Sequence, residues 1–141
     1  FRDEYMHATG TESDSPIQLP QEWLIAQDIS SLQVTQPWKL LPHCIEKSMA
    51  SQSANQWNDV FRLAGCNLEI IQTSCCGMGG LFGHQQEFKS QSTKIWDIHW
   101  EQHHPDENNS MVTGYSCYSQ ALRIRGVTLP HPLEVLANSI S

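Results

Sequence analysis

Three times along this chain a short apolar run delivers cysteine and gives way to a segment of helical periodicity, and that repetition limits the possible folds more than any other feature. Trp38 to Leu41, closed by Pro42, leads to His43 and Cys44. Leu68, Ile70 and Ile71 lead to Cys75 and Cys76, and Met111, Val112 and Tyr115 lead to Cys117. Between these runs, residues 54–64 place Trp57, Val60, Phe61 and Ala64 at helical spacing, with Gly65 where a helix stops. Phe88, Ile95, Trp96, Ile98 and Trp100 recur near the 3.6-residue period across 86–102, until HHPDENN breaks it. SQALRIR reads as a helix closed by Gly126, and PLEVLANSI as the last helix. Such alternation predicts an α/β fold with a small parallel, Rossmann-like sheet. Right-handed crossovers then place every strand-to-helix loop on one edge. Cys44, Cys75, Cys76 and Cys117 are thereby expected on the C-terminal edge of the sheet, where open α/β sheets bind ligands.

Upstream, PQEWLIAQDISSL reads as a short helix with Pro20 in its first turn and Trp23, Leu24 and Ile29 on one face. The chain divides on this reading into an arm at 1–37 and a domain at 38–141, and its 141 residues suit one compact core. Phe1 and a polar first stretch read as a piece of a longer polypeptide, with the arm connecting to an upstream domain. No apolar run approaches the roughly 18–20 residues of a membrane-spanning helix, and FRDEYMHATG is not signal-like. A soluble, cytoplasmic protein is expected. With a net charge of -7 and eight scattered Lys and Arg, nucleic acid is excluded as a partner, because phosphate binding needs clustered cations.

Five cysteines is an odd number, and the adjacent Cys75 and Cys76 would strain a disulfide between them, so a secreted disulfide framework is not expected. Thiolates are soft donors for iron-sulfur clusters and for zinc, and four of them satisfy either a cubane cluster or a tetrahedral zinc site. Gly77, Gly79, Gly80 and Gly83 around the vicinal pair would let the backbone approach a metal centre and aim N–H groups at its sulfurs. Cys66, beside Gly65 at a helix end, reads instead as a small core hydrophobe. A redox thiol at Cys75 or Cys76 is the reading that needs no metal.

His43 and His84 flank these loops and suit ligation or a supporting hydrogen bond. His131 has the simpler role of a turn residue between prolines, and His99, His103 and His104 that of a solvated helix end. GMGGLFG does not space its glycines as a dinucleotide fingerprint requires. Trp57, Trp96 and Trp100 read as core residues.

The blocks HCIEKSM, SCCGMGGLFGHQQEFKSQS, VTGYSCYSQ and HPLEVLA, in that order across about residues 38–137, resemble the Cys-Cys-Gly domain of iron-sulfur oxidoreductases. That group includes the iron-sulfur component of glycolate oxidases and the cysteine-rich component of heterodisulfide reductases. With RDEY and LPQEWL near the start, the chain is most similar to the C-terminal end of large bacterial FAD-linked dehydrogenases of the D-2-hydroxyglutarate and D-lactate type. The resemblance implies that Cys44, Cys75, Cys76 and Cys117 ligate an iron-sulfur cluster, of the 4Fe-4S type. It also implies that FAD sits in an upstream domain of the same polypeptide, and that electrons leave to an acceptor which the sequence does not identify. Such an acceptor would allow a membrane-peripheral location. One departure stands out: many members carry a second cysteine three positions after the last, and this chain has Gln120. The loss favours a four-ligand site, with Gln120 left to hydrogen-bond nearby.

Overall fold

The structure is a computed structural model, and it describes residues 8–10 and 17–140. The RDEY stretch therefore lies outside the described residues. Strands β1 (Trp38–Leu41), β2 (Leu68–Ile70) and β3 (Ser110–Val112) form an all-parallel sheet in the order β2-β1-β3. Trp38 pairs with Leu68, and Leu40 lies between Ile70 on one side and Met111 on the other. The expected α/β class with a small parallel sheet is what the chain adopts.

Helix α1 (Pro20–Ile25) precedes the sheet. Helices α2 (Cys44–Met49) and α3 (Ser53–Leu63) connect β1 to β2, and α4 (Lys89–His99) lies on the path from β2 to β3. Helices α5 (Tyr115–Arg125) and α6 (Pro132–Asn138) follow β3. Because β1 is central, the chain steps to one side of it for β2 and then to the other for β3. The loops leaving β1 and β3 diverge there, which opens the crevice that parallel α/β sheets use for ligands.

Side chains alternate across a strand, so β1 and β3 each feed two cores. Leu40 and Met111 pack with Trp57, Val60, Phe61 and Ala64 around α3, and with Val135 and Leu136 of α6. Leu41 and Val112 pack on the opposite face with Trp96, Trp100, Met78, Ala121 and Leu129. Cys76 and Cys117 belong to this second core, whereas Cys66 belongs to the first. All three tryptophans read as core residues are buried.

Helix α3 forms where its apolar spacing places it and ends in a Schellman motif. Gly65 takes φ +87°, its N–H donates to the Arg62 carbonyl at 3.1 Å, and the Cys66 N–H donates to the Phe61 carbonyl at 2.9 Å. Cys66 is thus the buried residue that closes the helix end.

Three expectations need correction, and one helix was not expected. The third strand stops at Val112, and Tyr115 and Cys117 lie in the first turn of α5, which Gly114 starts in an extended conformation, four residues before SQALRIR. The 86–102 periodicity resolves into a 3-10 turn at Gln86–Phe88, α4, and another 3-10 turn at Glu101–His103. Only Trp96 and Trp100 of its apolar set are fully buried, while Ile98 is 64% exposed. In α1, Trp23 faces solvent at 53% exposure, and Gln21 is the residue driven inward, where it donates to Ser53. Helix α2 has no counterpart in the sequence reading because it buries no residue and so shows no apolar stripe.

Candidate metal centre

After β1 the chain turns at Pro42 and presents His43 and Cys44, the latter as the first residue of α2. The His43 N–H donates to Thr113 Oγ1 at 2.9 Å, and His43 Nε2 lies 3.1 Å from Ser116 Oγ. The imidazole rests on Gly114, where a Cβ atom would come within 2.5 Å of His43 Cδ2. Thr113 in turn donates to the Glu46 carboxylate, which also accepts from Ser53. This polar chain ties α2, which begins with Cys44, to the loop that begins the Cys117 helix.

After β2, Lys47 Nζ and Trp100 Nε1 donate to the carbonyls of Thr73 and Ser74, the latter at 3.0 Å, and fix the approach to Cys75. The Gly77 N–H points at Cys75 Sγ at 3.3 Å. Gly77 has φ +93°, and a Cβ there would lie 2.3 Å from the Ser92 carbonyl oxygen, so the site admits only glycine. Ser92 Oγ donates to the Gly77 carbonyl at 2.7 Å and accepts from Gln120 Nε2 at 3.0 Å and from Arg123 at 2.7 Å. Gln120 Nε2 also donates to the Cys76 carbonyl at 2.9 Å, and Arg123 donates to the Gly83 carbonyl. A clamp of buried Ser92 and Gln120 with half-buried Arg123, on α4 and α5, therefore holds both ends of the glycine loop.

The four rim cysteines come into one electrostatic neighbourhood. Cys44 and Cys75 are half-buried, while Cys76 and Cys117 are 2% and 1% exposed. Burial, and then the neighbouring Cys75 and Cys76, push the Cys44 thiol up. A hydrogen bond with Cys117 brings Cys76 down to about 7 against the opposing effect of burial, and Ser116 hydrogen-bonds to it as well. Its partner Cys117 is pushed far up, first by that same bond to Cys76 and then by burial. The sulfurs are thus arranged as two interacting pairs, Cys44 with Cys75 and Cys76 with Cys117.

Among the described residues, no three or more His, Cys, Asp or Glu side chains converge tightly enough to hold a single metal ion. The donor chemistry of four thiols with an N–H aimed at one sulfur fits a polynuclear iron-sulfur group.

The other sequence candidates fall outside this sulfur group. Gly79 and Gly80 form an exposed left-handed turn, and His84 is exposed in the 3-10 turn that follows. Gln120 is fully buried. His131 caps α6, with Nδ1 accepting the Leu133 N–H at 3.2 Å. Ser92, Ser116 and Arg123 escaped the sequence reading. Their signals were present: Ser92 lies one turn from buried Trp96, and Cys117, Gln120 and Arg123 recur every three residues along α5.

No protein-family model and no solved structure matches the chain significantly. Curated proteins do. A D-2-hydroxyglutarate dehydrogenase of Haemophilus influenzae is 33% identical over 150 residues, covering 96% of this chain. The enzymes of that name from Pseudomonas putida and Escherichia coli are 35% and 33% identical and cover 96% and 99% of it. The chain is similar to one segment of these dehydrogenases. It spans only 14–15% of their length.

Proposed function

We propose that this chain is the electron-transfer segment of an FAD-dependent D-2-hydroxy acid dehydrogenase and that Cys44, Cys75, Cys76 and Cys117 hold an iron-sulfur cluster, of 4Fe-4S type. The observation that carries the proposal is the gathering of four cysteines from three separate strand-to-helix junctions at one edge of the sheet, with Cys66 left in the other core. Similarity along nearly the whole chain to dehydrogenases about seven times longer supports an upstream flavin domain in the same polypeptide.

A bound cluster supplies one-electron storage and transfer. The chain's own residues do the rest. Gly77 offers its N–H to Cys75, Ser116 places its hydroxyl within hydrogen-bonding reach of Cys76 and Cys117, and the first turn of α5 directs its positive end toward a group carrying negative charge. Burial of Cys76 and Cys117 keeps water from half of the donor set.

Adding D-2-hydroxyglutarate to the anaerobic full-length protein tests the proposal. The flavin is expected to bleach and a cluster EPR signal to appear. In a Cys44→Ser variant the flavin should still bleach without that signal. Zinc in place of iron, or an unchanged EPR spectrum in the variant, would overturn the assignment.

A further inference from the structure

Beside the sulfur edge a groove of about 460 Å³ opens between the start of α5 and the start of α6, within the size range of small-molecule sites. Its floor is Val112 and Leu129, and one wall is the pair Tyr115 and Tyr118, whose rings stack at 5.9 Å and 22°. These tyrosines bracket Cys117 in sequence. Gly114, also in the lining, touches the His43 imidazole, which reaches Ser116 beside the thiols. The groove therefore adjoins the place where electrons would leave.

The facing wall carries His131 and Glu134. His131 Nδ1 accepts the Leu133 N–H, so the neutral ring holds its proton on Nε2, and Nε2 has no hydrogen-bond partner among the described residues. Burial favours this neutral ring, lowering the His131 pKa from its ordinary 6.5, against Glu134 and Glu46, which act to raise it. Among the described residues, Glu134 is the only fully charged side chain in the lining, which includes no lysine or arginine. The groove is thus closed to a dicarboxylate such as the hydroxy acid and open to an uncharged flat ring bearing an acceptor oxygen.

We propose that this groove binds a neutral quinone, which stacks on Tyr115 and accepts a hydrogen bond from His131 Nε2–H, and that it is the exit for electrons from the chain. The redox half of the inference rests on the function proposed above, whereas binding does not. Reduction of the quinone to the hydroquinone takes up two electrons and two protons, the same number that conversion of the alcohol carbon of a 2-hydroxy acid to a ketone releases, so no other oxidant or reductant is required.

Duroquinone is the suitable probe, because its fully substituted ring cannot arylate the cysteines. Calorimetric titration into the full-length protein is expected to show binding that added D-2-hydroxyglutarate does not compete away. Tyr115→Ser, at a position 82% exposed and so harmless to the fold, should weaken binding about tenfold, while Tyr115→Phe, which keeps the ring, should not. In the full-length enzyme, Tyr115→Ser and His131→Asn should raise the KM for duroquinone, while Met49→Ser, exposed and outside the groove, should not. Duroquinone affinity and KM identical in wild type and both variants would overturn the groove assignment and leave the cluster assignment standing. Variant-sensitive binding to a protein that contains no iron would do the reverse.

Discussion

Gly77 shows at the scale of one residue how backbone geometry builds the candidate centre. Its positive φ directs the N–H to Cys75, and the absence of a Cβ lets the loop approach Ser92. Gly77→Ala is expected to cost at least the roughly 1–2 kcal/mol of a left-handed side-chain residue, plus displacement of the Ser92 carbonyl. Urea unfolding should register that loss, and metal retention should fall with it. Gly80, exposed with nothing near its Cβ position, should lose only the conformational cost on the same substitution. His131 makes a pH-dependent contribution. Burial lowers its pKa in the folded chain, so the unfolded chain binds the proton more readily, and stability is complete above pH 6.5 and declines as pH falls below it. Protonation also removes the Nδ1 acceptor from the α6 cap, although Glu134 and Glu46 act to raise the pKa and so oppose the shift. The melting temperature of the wild type should therefore drop more steeply between about pH 7 and 5 than that of His131→Asn, and parallel curves would contradict this.

At the scale of elements, legibility followed burial. Helix α3 and strand β1 were plain in the sequence because their side chains fill a core: Phe61 and Leu40 are completely buried. Phe61→Ala should cost about 3–5 kcal/mol. Helix α2 was hidden because it exists to carry Cys44 and anchor Glu46, leaving Ile45 and Met49 exposed at 61% and 73%. Met49→Ser should change stability by less than about 0.5 kcal/mol. Equal losses for the two substitutions in denaturant melts would contradict the packing described here. The boundary of α5 was missed for a related reason. Met111, Val112 and Tyr115 look alike as apolar residues, but Gly114 interrupts them and the chain turns before Tyr115. The arm helix forms as read, and Leu24 and Ile29 pack inward, but Trp23 faces solvent and the buried Gln21, held by Ser53, was missed because it is polar.

At the scale of the whole molecule, placing Cys44, Cys75, Cys76 and Cys117 on one edge needed only strand-helix alternation and the handedness of crossovers. Leaving Cys66 in the other core followed from its position at a helix stop. What the sequence concealed is the polar scaffolding: the Ser92, Gln120 and Arg123 clamp and the chain from Glu46 through Thr113 to His43 join residues far apart in sequence, and hydrogen bonds carry no periodicity. On the proposed function the sulfur edge holds iron and sulfide. Iron and acid-labile sulfide should be assayed on anaerobically purified full-length protein and on its Cys75→Ser, Cys76→Ser variant. Both are expected in the wild type and are expected to be lost from the variant site; zinc alone, or no metal in either protein, would overturn the cluster assignment.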